Sequence, residues 1–187
     1  METMRRLALL LAIAAGCAKQ ADPPPPPKAP PLQAASLPKI PPPAPPPFDF
    51  AAYGDCRSDH DVHGRICASI LRSRPKFVMV SGDLVDFGES AEDWKTFRAV
   101  TKELRGRTEY WAAPGNHDVS FDRAFEKEFG LDKPYADRRS GDIHVFLLDS
   151  NAYFAEAEQL QWLEEKAAAS DARHKFAVFH HPPFSID

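Results

Sequence analysis

Residues 77–86 have the sequence FVMVSGDLVD, in which an apolar run ends at a serine and a glycine and is followed by two aspartates. A short apolar run bounded by turn residues is typical of a strand that is buried on both faces. In α/β folds, ligand-binding side chains collect beyond the carboxyl ends of such strands. This stretch therefore predicts an α/β fold in which Asp83 lies at the ligand-binding edge of a sheet.

Three other polar segments follow apolar runs in the same way. The four strand-end segments are GDCR at 54–57, GDLVD at 82–86, GNHD at 115–118 and HHPP at 180–183. Aspartate, asparagine and histidine supply oxygen and nitrogen ligands that suit divalent or trivalent metals. A single aspartate after a strand is usually a helix cap or a turn residue. Four such segments in equivalent positions predict a shared metal site.

The sequence between the strands predicts helices. Val62, Ile66 and Ile70 lie four residues apart, on one face of a helix. Ser90 begins a second helix in a capping box with Asp93. The predicted helices cover 62–71, 90–104, 121–129 and 156–169, and the predicted strands cover 48–53, 77–80, 108–113, 143–148 and 176–179. This alternation indicates an α/β fold with mainly parallel strands.

The strand-end segments resemble the first four motifs of the calcineurin-like metallophosphoesterase superfamily, over essentially all of residues 48–187. The most specific of them is GNHD at 115–118. The resemblance implies an αββα sandwich of two mixed sheets with a site for two divalent or trivalent metal ions at the strand ends. It also implies a hydrolase that cleaves phosphomonoesters or phosphodiesters with metal-activated water, with manganese, iron or zinc as the expected ions.

The resemblance assigns the metal ligands. Two ions about 3.5 to 4 Å apart need a carboxylate that bridges them. By resemblance Asp83 is this bridge and Asp55 binds the first ion. Asn116 and His180 bind the second ion, because the ligand in the superfamily is the histidine that directly ends the strand. His181 is then a structural or supporting residue.

The resemblance assigns proton transfer to His117, oriented by Asp118. His117 would protonate the leaving-group oxygen or bind the phosphoryl group, which suits an imidazole near neutral pH. Asp86 either orients a ligand or stabilises a turn. Residues 149–151, with the sequence DSN, either border the site or form an ordinary turn.

Arg57 departs from the superfamily pattern, because many members have a metal-binding histidine at this position. Arginine stays protonated and cannot bind a metal. It either clamps a substrate phosphate, pairs with a carboxylate such as Asp59, or is exposed. His60 and His63 are candidates for the missing nitrogen ligand. Purple acid phosphatases also lack this histidine but have a tyrosine at the position of Asp86, so a tyrosinate-bound ferric centre is not expected.

The last motif of the superfamily, Gly-His-x-His, does not occur in the 187 residues. Its histidines would supply one ligand to each ion. We therefore expect a C-terminally truncated domain whose second sheet is incomplete. The alternative function is a non-catalytic surface lipoprotein or pseudoenzyme, whose degraded metal site binds a ligand or a partner.

Residues 1–17 resemble the signal of a bacterial lipoprotein. Two arginines precede an apolar run at 7–15 that is too short to span a bilayer, and small residues precede Cys17. The resemblance implies cleavage before Cys17, lipidation of that residue, and export to the cell envelope. The protein would then be anchored to a bacterial membrane, in the periplasm or at the surface. A plain secretory signal and a retained N-terminal anchor are the alternatives.

Residues 18–47 predict a proline-rich linker before a domain at 48–187. Fourteen of the 26 residues from 22 to 47 are proline, which favours extended polyproline II structure. The segment is interpreted as a stalk, with a docking site for a proline-binding partner as the alternative.

The predicted domain is acidic, with 18 lysines and arginines against 25 aspartates and glutamates. This charge disfavours a nuclease of the same superfamily, and no nucleic-acid partner is expected beside the phosphoester substrate. Cys56 and Cys67 either form a local disulfide in an oxidising compartment or remain free near the site.

Overall fold

The computed structural model of the protein describes residues 50–151 and 157–183. The predicted signal at 1–17, its lipidation site Cys17 and the predicted linker at 18–47 lie outside these residues. In chain order, the described elements are β1 Phe50–Tyr53, α1 His60–Ser73, β2 Phe77–Val80, α2 Ala91–Arg105, β3 Glu109–Ala112, α3 Ala124–Phe129, β4 Ala136–Ser140, β5 Ile143–Leu147, α4 Ala157–Ala168 and β6 His174–Val178. None of the described helices is both long and apolar enough to cross a membrane.

Strand β2 is the centre of the first sheet, which has the order β1-β2-β3 with both neighbours parallel to it. All four residues of β2 are buried. Successive side chains of a strand point to opposite faces. Phe77 and Met79 therefore belong to one apolar cluster, whereas Val78 and Val80 belong to another. The predicted buried strand is confirmed, and its two apolar faces make it the centre of the domain.

Helices α1 and α2 cover the Val78 face of this sheet. Cys67 from α1 and Trp94, Phe97 and Leu104 from α2 are buried in the same cluster as Val78. Burial of a large apolar side chain contributes about 1.5 to 3 kcal/mol, so α2 is held mainly by these contacts.

Both helices begin at a side-chain cap. In α2, the Oγ of Ser90 accepts the N–H of Asp93 at 3.2 Å and donates to its Oδ1 at 2.8 Å, which confirms the predicted cap at Ser90. The reciprocal bond of a capping box is not made, because the backbone N–H of Ser90 donates to the carbonyl of Phe87 at 2.9 Å. In α1, Oδ1 of Asp59 accepts the N–H of Val62 at 3.0 Å. The cap begins α1 two residues before the predicted start.

The second sheet has the order β4-β5-β6, with β4 antiparallel and β6 parallel to β5. Strand β4 has no counterpart among the predicted strands, because its sequence ADRRS shows no apolar alternation. It forms through a tight hairpin with β5, in which Gly141 has a φ of 55°. Glycine adopts this conformation without a steric penalty.

The two sheets pack face to face. Phe77 and Trp111 stack with their ring centroids 4.0 Å apart, and Val145 and Leu147 of β5 are buried in the same cluster. Trp162 of α4 packs edge-on against Phe146, on the other face of β5. The order of layers is helices α1 and α2, first sheet, second sheet, helix α4. This order confirms the predicted αββα sandwich, in which the second sheet is mixed and the described strands of the first are all parallel.

Candidate metal centre

The strand-end segments meet beyond the carboxyl ends of β1, β2, β3 and β6. The backbone N–H of Asp55 donates to the carbonyl of Gly82 at 3.0 Å, so the first two segments are in direct contact. Ligand atoms of Asp55, Asp83 and His180 all lie within 4.8 Å of one another. We call these three residues and Asn116 the candidate metal centre. All four were predicted as ligands, and the fold brings them to one place.

The tautomer of His180 is set by its hydrogen bonds. Its Nδ1 lies 2.9 Å from the carbonyl oxygen of Ser81, which can only accept, so Nδ1 carries the proton. In the neutral ring, Nε2 then has a free lone pair. This Nε2 lies 3.1 Å from Oδ1 of Asn116 and 3.4 Å from Oδ1 of Asp83. A ring nitrogen held in this way by a backbone carbonyl is typical of a metal-binding histidine.

The donor set fits a metal ion. Nε2 of His180 faces two acceptor oxygens, Oδ1 of Asn116 and Oδ1 of Asp83. Atoms with lone pairs repel one another unless a cation or a proton lies between them. Ligands at about 2.0 to 2.2 Å from one ion lie at most about 4.4 Å apart, close to the span of the Asp55, Asp83 and His180 atoms. Carboxylate, amide and imidazole ligands suit manganese, iron or zinc.

The backbone around Asp83 is crowded, and glycines make this possible. A Cβ added to Gly115 would collide with the backbone nitrogen and with Oδ1 of Asp83. Gly82 has a φ of 93°, and a Cβ there would collide with the backbone nitrogen of Gly115. Asp55 and Asp83 themselves have positive φ values of 50° and 57°. Such conformations cost roughly 1 kcal/mol or more each, so the surrounding contacts must hold these residues in place.

Asp118 supplies many of those contacts. Its carboxylate accepts backbone N–H groups from four residues, at 2.8 to 3.2 Å, and its side chain is fully buried. The donors belong to Asp83, Leu84, Val85 and Gly115. Burial raises the pKa of Asp118 to about 6, although the backbone N–H donors act in the opposite direction. The carboxylate is therefore mostly ionised at neutral pH and fastens the second strand-end segment to the third.

His117 is oriented differently from the prediction. Its Nδ1 lies 2.7 Å from the carbonyl oxygen of Asp86 and therefore donates to it, while its backbone N–H donates to Oδ1 of Asp83 at 3.2 Å. The predicted orienting residue, Asp118, uses its oxygens for the backbone N–H groups. The Asp86 carbonyl thus fixes the His117 ring and leaves Nε2 for proton exchange. Asp86 itself was predicted only as a supporting or turn residue.

Arg57 pairs with carboxylates, as one of the predicted alternatives held, but its partners are Asp83 and Asp86 and not the suggested Asp59. Its Nε donates to Oδ2 of Asp83 at 2.8 Å, and its Nη1 lies 3.5 Å from Oδ1 of Asp86. The hydrogen bond to Asp83 raises the pKa of Arg57 above its ordinary value. Ser58 also donates to Oδ1 of Asp86, at 2.6 Å, and this bond, with burial opposing it, lowers the pKa of that carboxyl group.

The other nitrogen candidates do not join the site. His63 is buried in α1, where its Nε2 lies 3.1 Å from the hydroxyl of Tyr53. His60 is exposed at the first turn of the same helix. Neither belongs to the group whose ligand atoms converge.

Ser150 holds the fourth strand-end segment in place. Its Oγ accepts the backbone N–H of His180 at 3.3 Å and that of His181 at 3.1 Å. It also lies 3.0 Å from Nδ1 of His181, whose side chain is exposed. Asn151 donates from Nδ2 to the carbonyl of Gly115 at 3.1 Å. One indication of this role was present in the sequence, because residues 149–151 directly follow β5. That position was equally compatible with an ordinary turn.

Cys56 and Cys67 are both free and buried, so the alternative of a local disulfide does not apply. The Sγ of Cys56 faces the backbone carbonyl of Asp83 at 3.7 Å. Burial raises the pKa of Cys56 to about 12. A thiol that stays protonated at neutral pH is a poor metal ligand.

Comparison with known proteins agrees with this geometry. The sequence matches the calcineurin-like phosphoesterase family over residues 49–187. The fold is similar to that of a purple acid phosphatase from yellow lupin (Lupinus luteus) seeds, with a TM-score of 0.57 and 14% sequence identity over 70% of this chain. The matched region spans 30% of the lupin chain, so this likeness supports the fold alone. Comparison with curated proteins gives no match. The chain belongs to the calcineurin-like phosphoesterase family, whose members are phosphoester hydrolases.

Proposed function

We propose that this protein is a metal-dependent hydrolase of phosphomonoesters or phosphodiesters. The observation that carries the proposal is the convergence of acceptor atoms from Asp55, Asp83, Asn116 and His180 at the strand ends. Membership of the family supports the reaction class.

The four residues of the candidate metal centre would hold the metal. Members of this family typically use two ions. When bound, such metals acidify water to a pKa of about 7 and neutralise charge that develops on the phosphoryl group. The task of the chain is to hold the ligands rigidly, which the backbone contacts of Asp118 and the carbonyl bond of His180 accomplish.

His117 is proposed as the residue that gives a proton to the leaving-group oxygen. Its Nδ1 proton is committed to the carbonyl of Asp86, so the proton that moves is carried on Nε2. Asp118 acts on His117 only through the backbone that it fastens. Arg57 is proposed to bind the phosphoryl group, because its side chain is 35% exposed and the guanidinium has N–H groups beyond those used by the two aspartates.

Turnover of p-nitrophenyl phosphate and bis(p-nitrophenyl) phosphate with added manganese, zinc or iron tests the proposal. We expect hydrolysis that chelation abolishes and that Asp83→Asn reduces to background. Asp171→Asn is the matched control, because Asp171 is exposed before β6, at the opposite end of that strand from His180. Absence of both metal binding and turnover in the wild-type chain contradicts the proposal. Metal binding without turnover of either ester favours the non-catalytic alternative.

We also propose that the protein is exported and lipid-anchored through Cys17, on the basis of the signal-like sequence at 1–17. The proline-rich residues 18–47 would then separate the domain from the membrane. Cys17→Ala, or growth with globomycin, is expected to give an unprocessed or soluble form in membrane fractionation. Unchanged partition into the membrane contradicts the anchor.

A further inference from the structure

The two oxygens of Asp83 face different partners. Oδ1 lies 3.4 Å from Nε2 of His180 and accepts the backbone N–H of His117 at 3.2 Å. Oδ2 accepts Nε of Arg57 at 2.8 Å. The side chain of Asp83 is only 3% exposed, so water is not a ready substitute for either partner. One oxygen therefore faces the converging acceptors and the other is held by a fixed cation.

This division disfavours a bridging role for Asp83. Each carboxylate oxygen has two lone pairs, and the N–H of His117 takes one on Oδ1 while the Arg57 guanidinium takes one on Oδ2. Here the guanidinium donates to Oδ2, and arginine neither loses its proton nor binds a metal. A second ion beside Oδ2 would also lie within a few ångströms of a like charge, which is costly in a buried site.

Arg57 is held in this position from several directions. Its backbone N–H donates to the carbonyl of Asp83 at 3.1 Å, so main chain and side chain contact the same residue. Its Nη1 lies 3.5 Å from Oδ1 of Asp86, which Ser58 also contacts. The arginine is thus part of the centre and not a mobile surface residue.

Building on the proposed function, we propose that the centre holds one metal ion, with the Arg57 guanidinium in place of the second. The ion would be held by Asp55, Oδ1 of Asp83, Asn116 and His180, because atoms of the two aspartates and His180 lie within 4.8 Å of one another and Oδ1 of Asn116 lies 3.1 Å from Nε2 of His180. Arg57 supplies a permanent positive charge on the opposite side of Asp83. Its outer N–H groups would donate to a phosphoryl oxygen where a second metal would bind it, but arginine, unlike a metal, would not acidify a water molecule.

Metal stoichiometry and affinity test this inference without an activity assay. The full chain is titrated with Mn²⁺ by calorimetry, and the loaded protein is studied by electron paramagnetic resonance. We expect one ion per chain and the spectrum of an isolated Mn²⁺ ion. Arg57→Gln removes the neighbouring positive charge and frees Oδ2, so the Kd for Mn²⁺ should fall about tenfold. Arg65→Gln, an exposed change in α1 with the same loss of charge, should leave the Kd within about twofold.

Arg57→Lys keeps the charge and should bind Mn²⁺ within about threefold of wild type. If Arg57→Gln does not fold, as judged by circular dichroism, the Mn²⁺ stoichiometry and spectrum of the wild-type protein decide the inference. Two ions per chain with spin coupling in the wild-type protein overturn the inference and leave the proposed hydrolase intact. An Arg57→Gln Kd equal to that of wild type overturns it as well, because Arg57 then does not act on the metal. No bound ion in any variant overturns both proposals.

Discussion

Two polar clusters meet near the end of β1, and they differ in how their atoms pair. In the tyrosine–histidine cluster of Tyr53, His63, Cys67 and Tyr110, the Tyr53 hydroxyl lies 2.6 Å from that of Tyr110 and 3.1 Å from Nε2 of His63. Each of these groups can donate as well as accept, so the cluster satisfies itself. In the candidate metal centre, acceptor atoms face one another instead. The tyrosine–histidine cluster is complete without a ligand, whereas a cation would relieve the repulsion between the acceptor atoms of the candidate metal centre.

The comparison shows how the candidate ligand His180 differs from the structural His63. His63 is the more deeply buried, at 2% exposure, and burial together with the charge of His60 lowers its pKa to about 4. Its nitrogen nevertheless faces a hydroxyl that can donate to it. The Nε2 of His180 faces an amide oxygen and a carboxylate oxygen, which cannot. The direction and type of the neighbouring atoms, rather than burial, decide the role.

The largest expected effect on stability is at Asp118, which supports the candidate metal centre. Asp118→Ala leaves four buried N–H groups without their acceptor, and each unsatisfied group costs about 1 to 3 kcal/mol. We expect the free energy of unfolding to fall by about 4 kcal/mol in urea denaturation. Asp171→Ala removes an exposed carboxylate and should change it by less than about 0.5 kcal/mol. A loss of under about 1 kcal/mol for Asp118→Ala would show that the two segments hold together without it.

The tyrosine–histidine cluster should make stability depend on pH. The pKa of His63 is lower in the folded protein, about 4, than its ordinary value of 6.5, so the unfolded chain takes up the proton first as the pH falls. The stabilisation that depends on neutral His63 is fully present above pH 6.5 and is lost as the pH falls to 4. A lowering of this size corresponds to roughly 3 kcal/mol.

Urea denaturation of wild type and His63→Gln between pH 4 and 7.5, with chelator present, measures this loss. Asp118 changes stability in the opposite direction, because its pKa is raised to about 6 and its folded form takes up the proton first. The difference in the free energy of unfolding between wild type and His63→Gln therefore isolates the effect of His63. Parallel pH profiles for the two proteins would mean that His63 does not carry the effect.

Metal binding should stabilise the candidate metal centre and leave the tyrosine–histidine cluster unaffected. At one hundred times its Kd, a metal that binds only the folded protein raises the free energy of unfolding by about 2.7 kcal/mol. We expect this gain with Mn²⁺ for wild type and for His181→Ala, whose ring is exposed beside Ser150. His180→Ala should lose most of the gain, since it removes a converging ligand atom. An equal gain in His180→Ala would place the metal elsewhere.

The sequence was sufficient for the strand ends and their ligand types. The apolar runs before Asp55, Asp83 and Asn116 predicted that these side chains lie together, because β1, β2 and β3 are parallel and end at the same edge of the first sheet. His180 follows β6 of the second sheet, so its place beside them depends on how the two sheets pack. The sequence was not sufficient for contacts that depend on the exact approach of two segments. The carboxylate of Asp118 accepts from another segment, and Arg57 reaches Asp83 across 26 residues.

Strand β4 shows a second limit. Its sequence has no apolar alternation, and it forms a strand because Gly141 allows the hairpin that pairs it with β5. Pairing of this kind is a tertiary effect that periodicity does not report. Ser150 is similar, because a serine after a strand has many ordinary uses. Its bonds to the fourth segment depend on β5 and β6 being neighbours in the sheet.

The smallest expected effect is at Tyr53, which lies two residues before Asp55 and yet belongs to the other cluster. Tyr53→Phe keeps the ring and removes the hydroxyl, so His63 and Tyr110 lose one partner and the free energy of unfolding should fall by about 1 kcal/mol. The Kd for Mn²⁺ should stay within about twofold, because the hydroxyl of Tyr53 bonds to His63 and Tyr110 and not to a residue of the candidate metal centre. Urea denaturation and calorimetric titration of the same variant measure both quantities. A tenfold rise in the Kd with little change in stability would show that the two clusters are coupled through β1. The tyrosine–histidine cluster would then help to support the candidate metal centre.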